Sequence, residues 1–241
     1  MTIIKQEDLI QSIADALQFI SYYHPTDFIR AMRGAWEREE SPAAKGALTQ
    51  VLVNSRMCAL GKRPICQDTG IVNVLMSVGM DVQWDSELSL DDMINEGVRR
   101  GYTHPDNVLR GSVLVDPDGA RANTKDNTPA IIHTKIVPGD KLEIEVAAKG
   151  GGSEAKAKFA MLNPSDSVVD WILSVVPTMG AGWCPPGILG VGIGGTPEKA
   201  MLMAKESLME TLDMHELQER GASNHLEEMR MELFEKVNGL G

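Results

Sequence analysis

Two cysteines stand in turns rather than in apolar runs: Cys66 within Arg63-Pro64-Ile65-Cys66-Gln67-Asp68-Thr69-Gly70, and Cys184 within Gly180-Ala181-Gly182-Trp183-Cys184-Pro185-Pro186-Gly187. A structural cysteine usually packs among Ile, Val and Leu. A turn marked by Pro and Gly beside polar side chains instead presents a thiolate to a ligand. Taken singly, each is as readily a plain loop thiol as a metal ligand. Their common setting, with Gln67 and Asp68 adjoining one sulfur, favours ligation. Cys58, in Asn54-Ser55-Arg56-Met57-Cys58-Ala59-Leu60 near a helix C-terminus, reads as a small buried hydrophobe.

Zinc fits this pattern poorly. Cys58, Cys66 and Cys184 show none of the short C-x-x-C or H-x-x-x-H spacings of structural zinc sites, and His24, His104, His133, His215 and His225 are scattered along the chain. A cysteine nucleophile needs a base held beside the sulfur. No histidine adjoins Cys66, and Pro185 removes a backbone donor next to Cys184. Iron-sulfur ligation suits widely spaced thiolates better, because a cluster can be held by cysteines from distant loops. A cluster with three protein ligands leaves one iron open as a Lewis acid.

Charge narrows the partners. The formal net charge of −11, without a run of Lys and Arg, argues against neutralising the phosphates of a nucleic acid. An anionic substrate would have to be gathered by a few placed cations against the field of the whole chain; Lys62, Arg63, Arg110 and Lys149 are the candidates. Three cysteines do not make a disulfide framework, and the N-terminus carries acids where a signal peptide is apolar. No stretch approaches the roughly 20 apolar residues that span a bilayer. A soluble, cytoplasmic protein is expected. Gly190-Val191-Gly192-Ile193-Gly194-Gly195 matches G-x-G-x-x-G, but no β-branched strand leads into it and no acid-tipped strand follows, so it reads as glycine backbone packed beside a helix start.

The elements that must position these residues follow from periodicity. Leu9, Ile10, Ile13, Leu17 and Ile20, then Phe28, Ile29, Met32 and Trp36, then Leu48, Val51, Leu52 and Ser55 make three helical stripes within residues 1–60, the last helix capped by Ser41 with Pro42 in its first turn. Ile71 to Val78 reads as a buried strand. Ser89 with Asp92 resembles a capping box for a helix to about Arg100, and 102–129 is a long polar loop. Ile131–Val137 and Lys141–Ala147 alternate as a hairpin around Pro138-Gly139. Beyond the glycines at 150–152, which let backbone approach a ligand, helices are expected from Glu154, from a Ser165 cap, from Thr196-Pro197 to about Leu212, and from Asn224 to Val237. The class is α+β, or irregular α/β: a helical segment followed by a mixed sheet with flanking helices, in one domain over 1–241.

The string Arg63-Pro-Ile-Cys-Gln-Asp-Thr-Gly70, the loop Ala148-Lys-Gly-Gly-Gly-Ser153 and the segment Gly182-Trp-Cys-Pro-Pro-Gly187 followed by Gly194-Gly-Thr196 together resemble the class I fumarate hydratases. The resemblance covers the whole chain, as the N-terminal half of the single-chain enzymes or the α subunit of two-subunit fumarate and tartrate dehydratases. It implies an oxygen-sensitive 4Fe-4S cluster held by three cysteines, whose fourth iron binds the hydroxyl and carboxylate of a small dicarboxylate. Carried over, it makes Cys66 and Cys184 cluster and metal ligands, and sets Gln67 and Asp68 against the substrate. Asp68 takes part in proton transfer or orients the group that does; a turn-capping role would suit Asp-Thr-Gly equally. The resemblance also implies that Arg110 binds a substrate carboxylate through its fork, where the plain alternative is a solvated arginine. By the same resemblance Gly152 would offer its backbone to the substrate, and Lys149 would add positive potential.

The chain departs from that family in one respect. The third cysteine ligand belongs to a motif beyond the region matched by residues 230–241, and Cys58 does not lie in it. The resemblance therefore implies a C-terminal portion, as a further domain or a β subunit, and a homodimer or αβ assembly. The expected activity is reversible hydration of fumarate to malate, with L-tartrate dehydration or mesaconate hydration as the alternatives. The isolated chain is expected to be nearly inactive, and at the limit to be a non-catalytic folding and dimerisation module.

Overall fold

The computed structural model describes residues 2–240. In chain order its elements are β1 (Ile3–Lys5), α1 (Gln6–Tyr22), α2 (Thr26–Arg38), α3 (Pro42–Gly61), β2 (Ile71–Gly79), β3 (Gln83–Asp85), α4 (Leu90–Tyr102), β4 (Leu114–Val115), β5 (Ala122–Asn123), β6 (Ile131–Val137), β7 (Leu142–Lys149), α5 (Gly151–Glu154), α6 (Val168–Val175), a 3-10 helix (Val176–Trp183), α7 (Pro197–Ser207), α8 (Met214–Arg220) and α9 (His225–Asn238). Helices with small mixed sheets make an α+β protein. The chain forms two compact units. One holds the described residues through Pro25 together with Glu39–Gly151, and the other holds Thr26–Arg38 with the described residues from Gly152 onward. Among the described residues no helix is long and apolar enough to cross a membrane.

In the first unit β2 decides the sheet. Its sequence, Ile-Val-Asn-Val-Leu-Met-Ser-Val-Gly, is buried along almost its whole length. A strand covered on both faces belongs in the middle of a sheet. The order is β6-β2-β7, with β2 parallel to β6 and antiparallel to β7. The expected 131–147 hairpin is thus corrected: both strands exist, but β2 lies between them. Val74 pairs with Ile132 on one side and Val146 on the other. The turn stays tight because Met80 N–H donates to Val137 O and Gly79 N–H to Lys141 O. Gly139 takes φ 101°, as a type II turn requires.

Val72, Val74, Met76 and Val78 pack against Leu9, Ile10, Ile13 and Leu17 of α1 and Met93, Ile94, Val98 and Tyr102 of α4. Each such side chain contributes about 1.5–3 kcal/mol on burial. Ser89 caps α4, accepting from Asp92 N–H at 3.1 Å while its hydroxyl donates to Asp92 Oδ2 at 2.6 Å. Helices α1 and α4 meet where α4 has no side chain: a Cβ at Gly97 would lie 2.6 Å from Ile13 Cβ and 2.8 Å from Ile10 O. Alanine normally favours a helix by about 1 kcal/mol over glycine. Overpacking against a backbone carbonyl that cannot yield costs about 1–3 kcal/mol or more and reverses that sign. Gly97→Ala is therefore expected to lower the urea midpoint of the first unit. Gly101→Ala, whose tightest contact is 3.1 Å from Leu17 Cβ, should do so less.

Helix α3 begins as its sequence implies, with Ser41 accepting from Ala44 N–H and Pro42 in the first turn. Its inner face is narrower than the expected stripe, because Leu48, Ser55 and Cys58 are buried but Val51 is exposed. In the second unit the apolar side chains Val169, Ile172, Val176 and Leu217 are buried. Three boundaries are corrected there. The glycine run itself makes the single turn α5, which ends at Glu154 instead of starting there. The cap of α6 is Ser167, which accepts from Asp170 N–H, while Asn163 and Asp166 close a separate turn before it. Helix α7 stops at Ser207, short of Leu212. The last helix is as expected, with Asn224 accepting from Glu227 N–H.

Candidate functional site

The loop after α3 is tied down before it reaches the candidate ligands. Ile65 N–H donates to Ser21 O of α1 at 2.8 Å, and Asn54 Nδ2 of α3 donates to Ile65 O at 2.9 Å. Cys58 is buried and its thiol faces Asn54 Oδ1 and Pro64 O, so it packs and braces this loop. Cys66 follows, free and exposed, with its thiol donating to Gln67 Oε1 at 3.4 Å.

Asp68 is half-buried and its carboxylate bridges two chain segments. Oδ1 accepts from Gly70 N–H at 3.2 Å, closing the Asx turn that Asp-Thr-Gly suggests. Oδ2 accepts from Gly151 N–H at 2.9 Å, where the glycine loop leaves β7. Gly70 has φ 82°, and a Cβ there would lie 2.6 Å from the Ala148 carbonyl carbon. Only glycine permits that approach. The Cys66–Gly70 loop and the glycine loop are in this way one construction.

Arg110 joins it through the main chain. Thr69 Oγ1 donates to Arg110 O at 2.5 Å, and the Arg110 side chain itself is exposed. Below them Tyr102, fully buried at the end of α4, donates its hydroxyl to Thr69 O at 2.6 Å. Burial pushes its pKa well above the ordinary tyrosine value, so it stays a neutral donor. Asn127 is also fully buried. Its Nδ2 donates to Gly70 O at 2.9 Å, and its Oδ1 accepts from Ser112 N–H at 2.6 Å and Val113 N–H at 3.3 Å. The long polar stretch 102–129 is thus ordered, partly by this asparagine and partly by the β4–β5 ribbon. Beside it Asp126 faces Arg99 and Thr128. Burial pulls its carboxyl upward, but the Thr128 hydroxyl and N–H and the Arg99 guanidinium outweigh this and hold its pKa below the ordinary value. That anchor is complete at neutral pH and is lost only as pH falls below the usual carboxylate range.

The second unit holds the remaining candidates. Cys184 is free and exposed at the end of the 3-10 helix, in the left-handed region at φ 59°, with its N–H donating to Ala181 O. A Cβ at Gly152 would lie 2.8 Å from Gly182 O, so Gly152 sits against the turn that carries Cys184. Glu154 pairs with Lys205 Nζ at 2.5 Å and links α5 to α7. The G-x-G-x-x-G segment is packing: Cβ atoms at Gly190 and Gly192 would lie 2.2 and 2.0 Å from Ala204 O and Ala200 O of α7.

The first unit therefore sets the Arg110 main chain against the loop that carries Cys66, Gln67 and Asp68, and the second sets Gly152 against the turn that carries Cys184. The donor chemistry suits part of an iron-sulfur ligand set, with two exposed soft thiols on loops and one buried thiol turned away from that role. Among the described residues no three His, Cys, Asp or Glu side chains converge as a metal site. Tyr102 and Asn127 escape sequence reading. Tyr102 looks like helix-face core, and Asn127 like one more polar loop residue; the only local hint is the tolerance of Asn for the left-handed backbone it adopts, φ 63°.

Comparison with known proteins places the chain. Residues 10–241 match the family described as Fumarate hydratase (Fumerase), and the chain belongs to that family. It is 28% identical over 236 residues to a protein of Methanocaldococcus jannaschii named "Putative L(+)-tartrate dehydratase subunit alpha", covering 95% of this chain and 80% of that one. It is 24% identical over 236 residues to the L(+)-tartrate dehydratase subunit alpha of Escherichia coli (strain K12), covering 97% of this chain and 76% of the relative.

Proposed function

We propose that this chain is the α-type part of a hydro-lyase that reversibly adds water across the double bond of a four-carbon dicarboxylate, fumarate to malate. What supports the reading, beyond family membership, is Asp68: a carboxylate held by backbone N–H groups of two loops, two residues from an exposed cysteine and joined through Thr69 to the Arg110 loop. A fixed carboxylate is suited to moving the carbon-bound proton, or to orienting the group that does. Arg110 presents an exposed guanidinium to a substrate carboxylate, and its planar fork suits bidentate binding. Gln67 and the backbone of Gly152 orient the substrate. Lys62, Arg63 and Lys149 add positive potential in a chain of net charge −11. A 4Fe-4S cluster, with Cys66 and Cys184 among its ligands, supplies a Lewis acid when bound.

The third thiolate and the rest of the substrate site come, in this reading, from a complementary subunit or domain. The relatives bear subunit names, and Cys58 is buried against Pro64. Their names also make tartrate the second substrate to test. The experiment is an anaerobic assay of the chain assembled with its complementary subunit, on fumarate, L-tartrate and mesaconate side by side. Turnover of fumarate at the highest kcat/KM supports the proposal, preferred turnover of tartrate moves the assignment to the second substrate, and no turnover of any of the three sinks it. The chain without its complement is expected to be nearly inactive; a rate comparable with the assembly would contradict the two-part site.

A further inference from the structure

We propose that Asn127 is a positioning residue for the dicarboxylate site, its buried amide fixing the Arg110 loop against the Cys66–Gly70 loop. The proposal rests on the assignment of Arg110 and Asp68 to that site. The side chain reads both loops at once. Its nitrogen satisfies Gly70 O, next to the N–H that Asp68 holds, and its oxygen satisfies two successive N–H groups, Ser112 and Val113, just beyond Arg110. The 123–127 segment cradles the same stretch. Asn123 Nδ2 donates to Gly111 O at 2.8 Å, and a Cβ at Gly111 would lie 3.1 Å from the Lys125 carbonyl. Thr69 Oγ1 on Arg110 O closes the ring of contacts. Arg110 is thus held on both sides of its own backbone while its side chain stays exposed.

At neutral pH only an amide does this. Ionised aspartate offers no donor to Gly70 O, leucine offers neither donor nor acceptor, and glycine would keep the φ of 63° but lose the clamp. Asn127 is 0% exposed, so water cannot substitute for it. Leaving such a group unpaired costs the whole desolvation penalty, and the loops would move to relieve it. Displacement of Arg110 by a fraction of an ångström weakens substrate binding before it weakens proton transfer, which makes the expected signature a rise in KM larger than any fall in kcat.

The test uses the assembled, cluster-loaded enzyme. At about pH 8, Asn127→Asp is expected to raise KM for the dicarboxylate about tenfold or more, the change that follows from losing one buried hydrogen bond. As pH falls from about 8 through the pKa of the introduced carboxyl, which burial and Gly70 O raise and the Ser112 and Val113 N–H groups lower, that KM should return toward wild type, because the protonated O–H can donate to Gly70 O. The titratable groups bonded to the same backbone are Tyr102, neutral throughout this range, and Asp68. Asn127→Gly should raise KM at every pH. Asn127 variants that fold and keep wild-type KM across the range would overturn the proposal. Should they fail to fold, Thr69→Val, which deletes the Arg110 contact, is expected to raise KM where Thr69→Ser does not; equal KM in the two would overturn it. Arg110→Ala separates the levels. An unchanged KM there refutes the site assignment and this inference with it, whereas a raised KM in Arg110→Ala beside unchanged Asn127 and Thr69 variants refutes only the inference.

Discussion

Cys66→Ser or Cys184→Ser, introduced into the anaerobically assembled protein, is expected to abolish its broad visible absorbance, to remove the bound iron, and to reduce turnover by a factor on the order of 1,000 or more, since the open iron is the proposed Lewis acid. The reason lies in the contrast among three thiols. Cys66 and Cys184 are free and exposed on turns, where serine changes the ligand and little else. Cys58 is buried in α3 with its thiol turned to Asn54 and Pro64. Cys58→Ser should therefore keep the colour and the iron while changing stability modestly, which separates loss of a ligand from loss of a fold. Iron content, absorbance and thermal midpoint on the three variants decide the matter. Colour retained in the Cys66 and Cys184 variants would contradict their assignment.

Asp68→Asn is expected to lower kcat by about 100- to 10,000-fold with a smaller effect on KM, the range that removal of a positioned acid or base produces. Asparagine is the informative replacement because its carbonyl oxygen can still accept from Gly70 N–H and keep the Asx turn. The contact given up is the acceptance from Gly151 N–H at 2.9 Å, where an amide NH₂ would meet a donor. A merely structural carboxylate would show as a lower thermal midpoint with normal kcat. A proton-moving or proton-orienting one shows as low kcat in a folded, iron-loaded enzyme. Steady-state kinetics beside a melting curve separates them, and normal kcat would reduce Asp68 to a clip between two loops.

How much of this was legible in the sequence depended on whether the cause was local. Ser41-Pro42, Ser89 with Asp92 and Asn224 announced helix starts because a cap and the N–H groups it satisfies lie within four residues of one another. The exposure of Cys66 and Cys184 and the burial of Cys58 followed from the residues on either side. The pairing of β6 and β7 did not. Alternation and a Pro-Gly turn describe a hairpin equally well whether or not a third strand intervenes, and the deciding fact is that β2 is buried on both faces, Asn73 included. The scaffold of the site was least visible. Tyr102 and Asn127 act on the carbonyls of Thr69 and Gly70, 33 and 57 residues away in the chain, and no spacing rule carries information over such distances. Asp68 showed the reverse case: both roles suggested by its motif remain in play, since the turn-capping bond is present beside the bond to Gly151.

Cys66, Asp68 and Arg110 are proposed to belong to one dicarboxylate site served by a cluster. The electron paramagnetic resonance spectrum of the reduced, fully assembled enzyme, recorded with and without fumarate or malate, puts this to the test. The cluster signal is expected to shift when the dicarboxylate is added, and Arg110→Ala is expected to move that shift to much higher dicarboxylate concentration. A cluster signal indifferent to dicarboxylate, or a shift that Arg110→Ala leaves untouched, would contradict it.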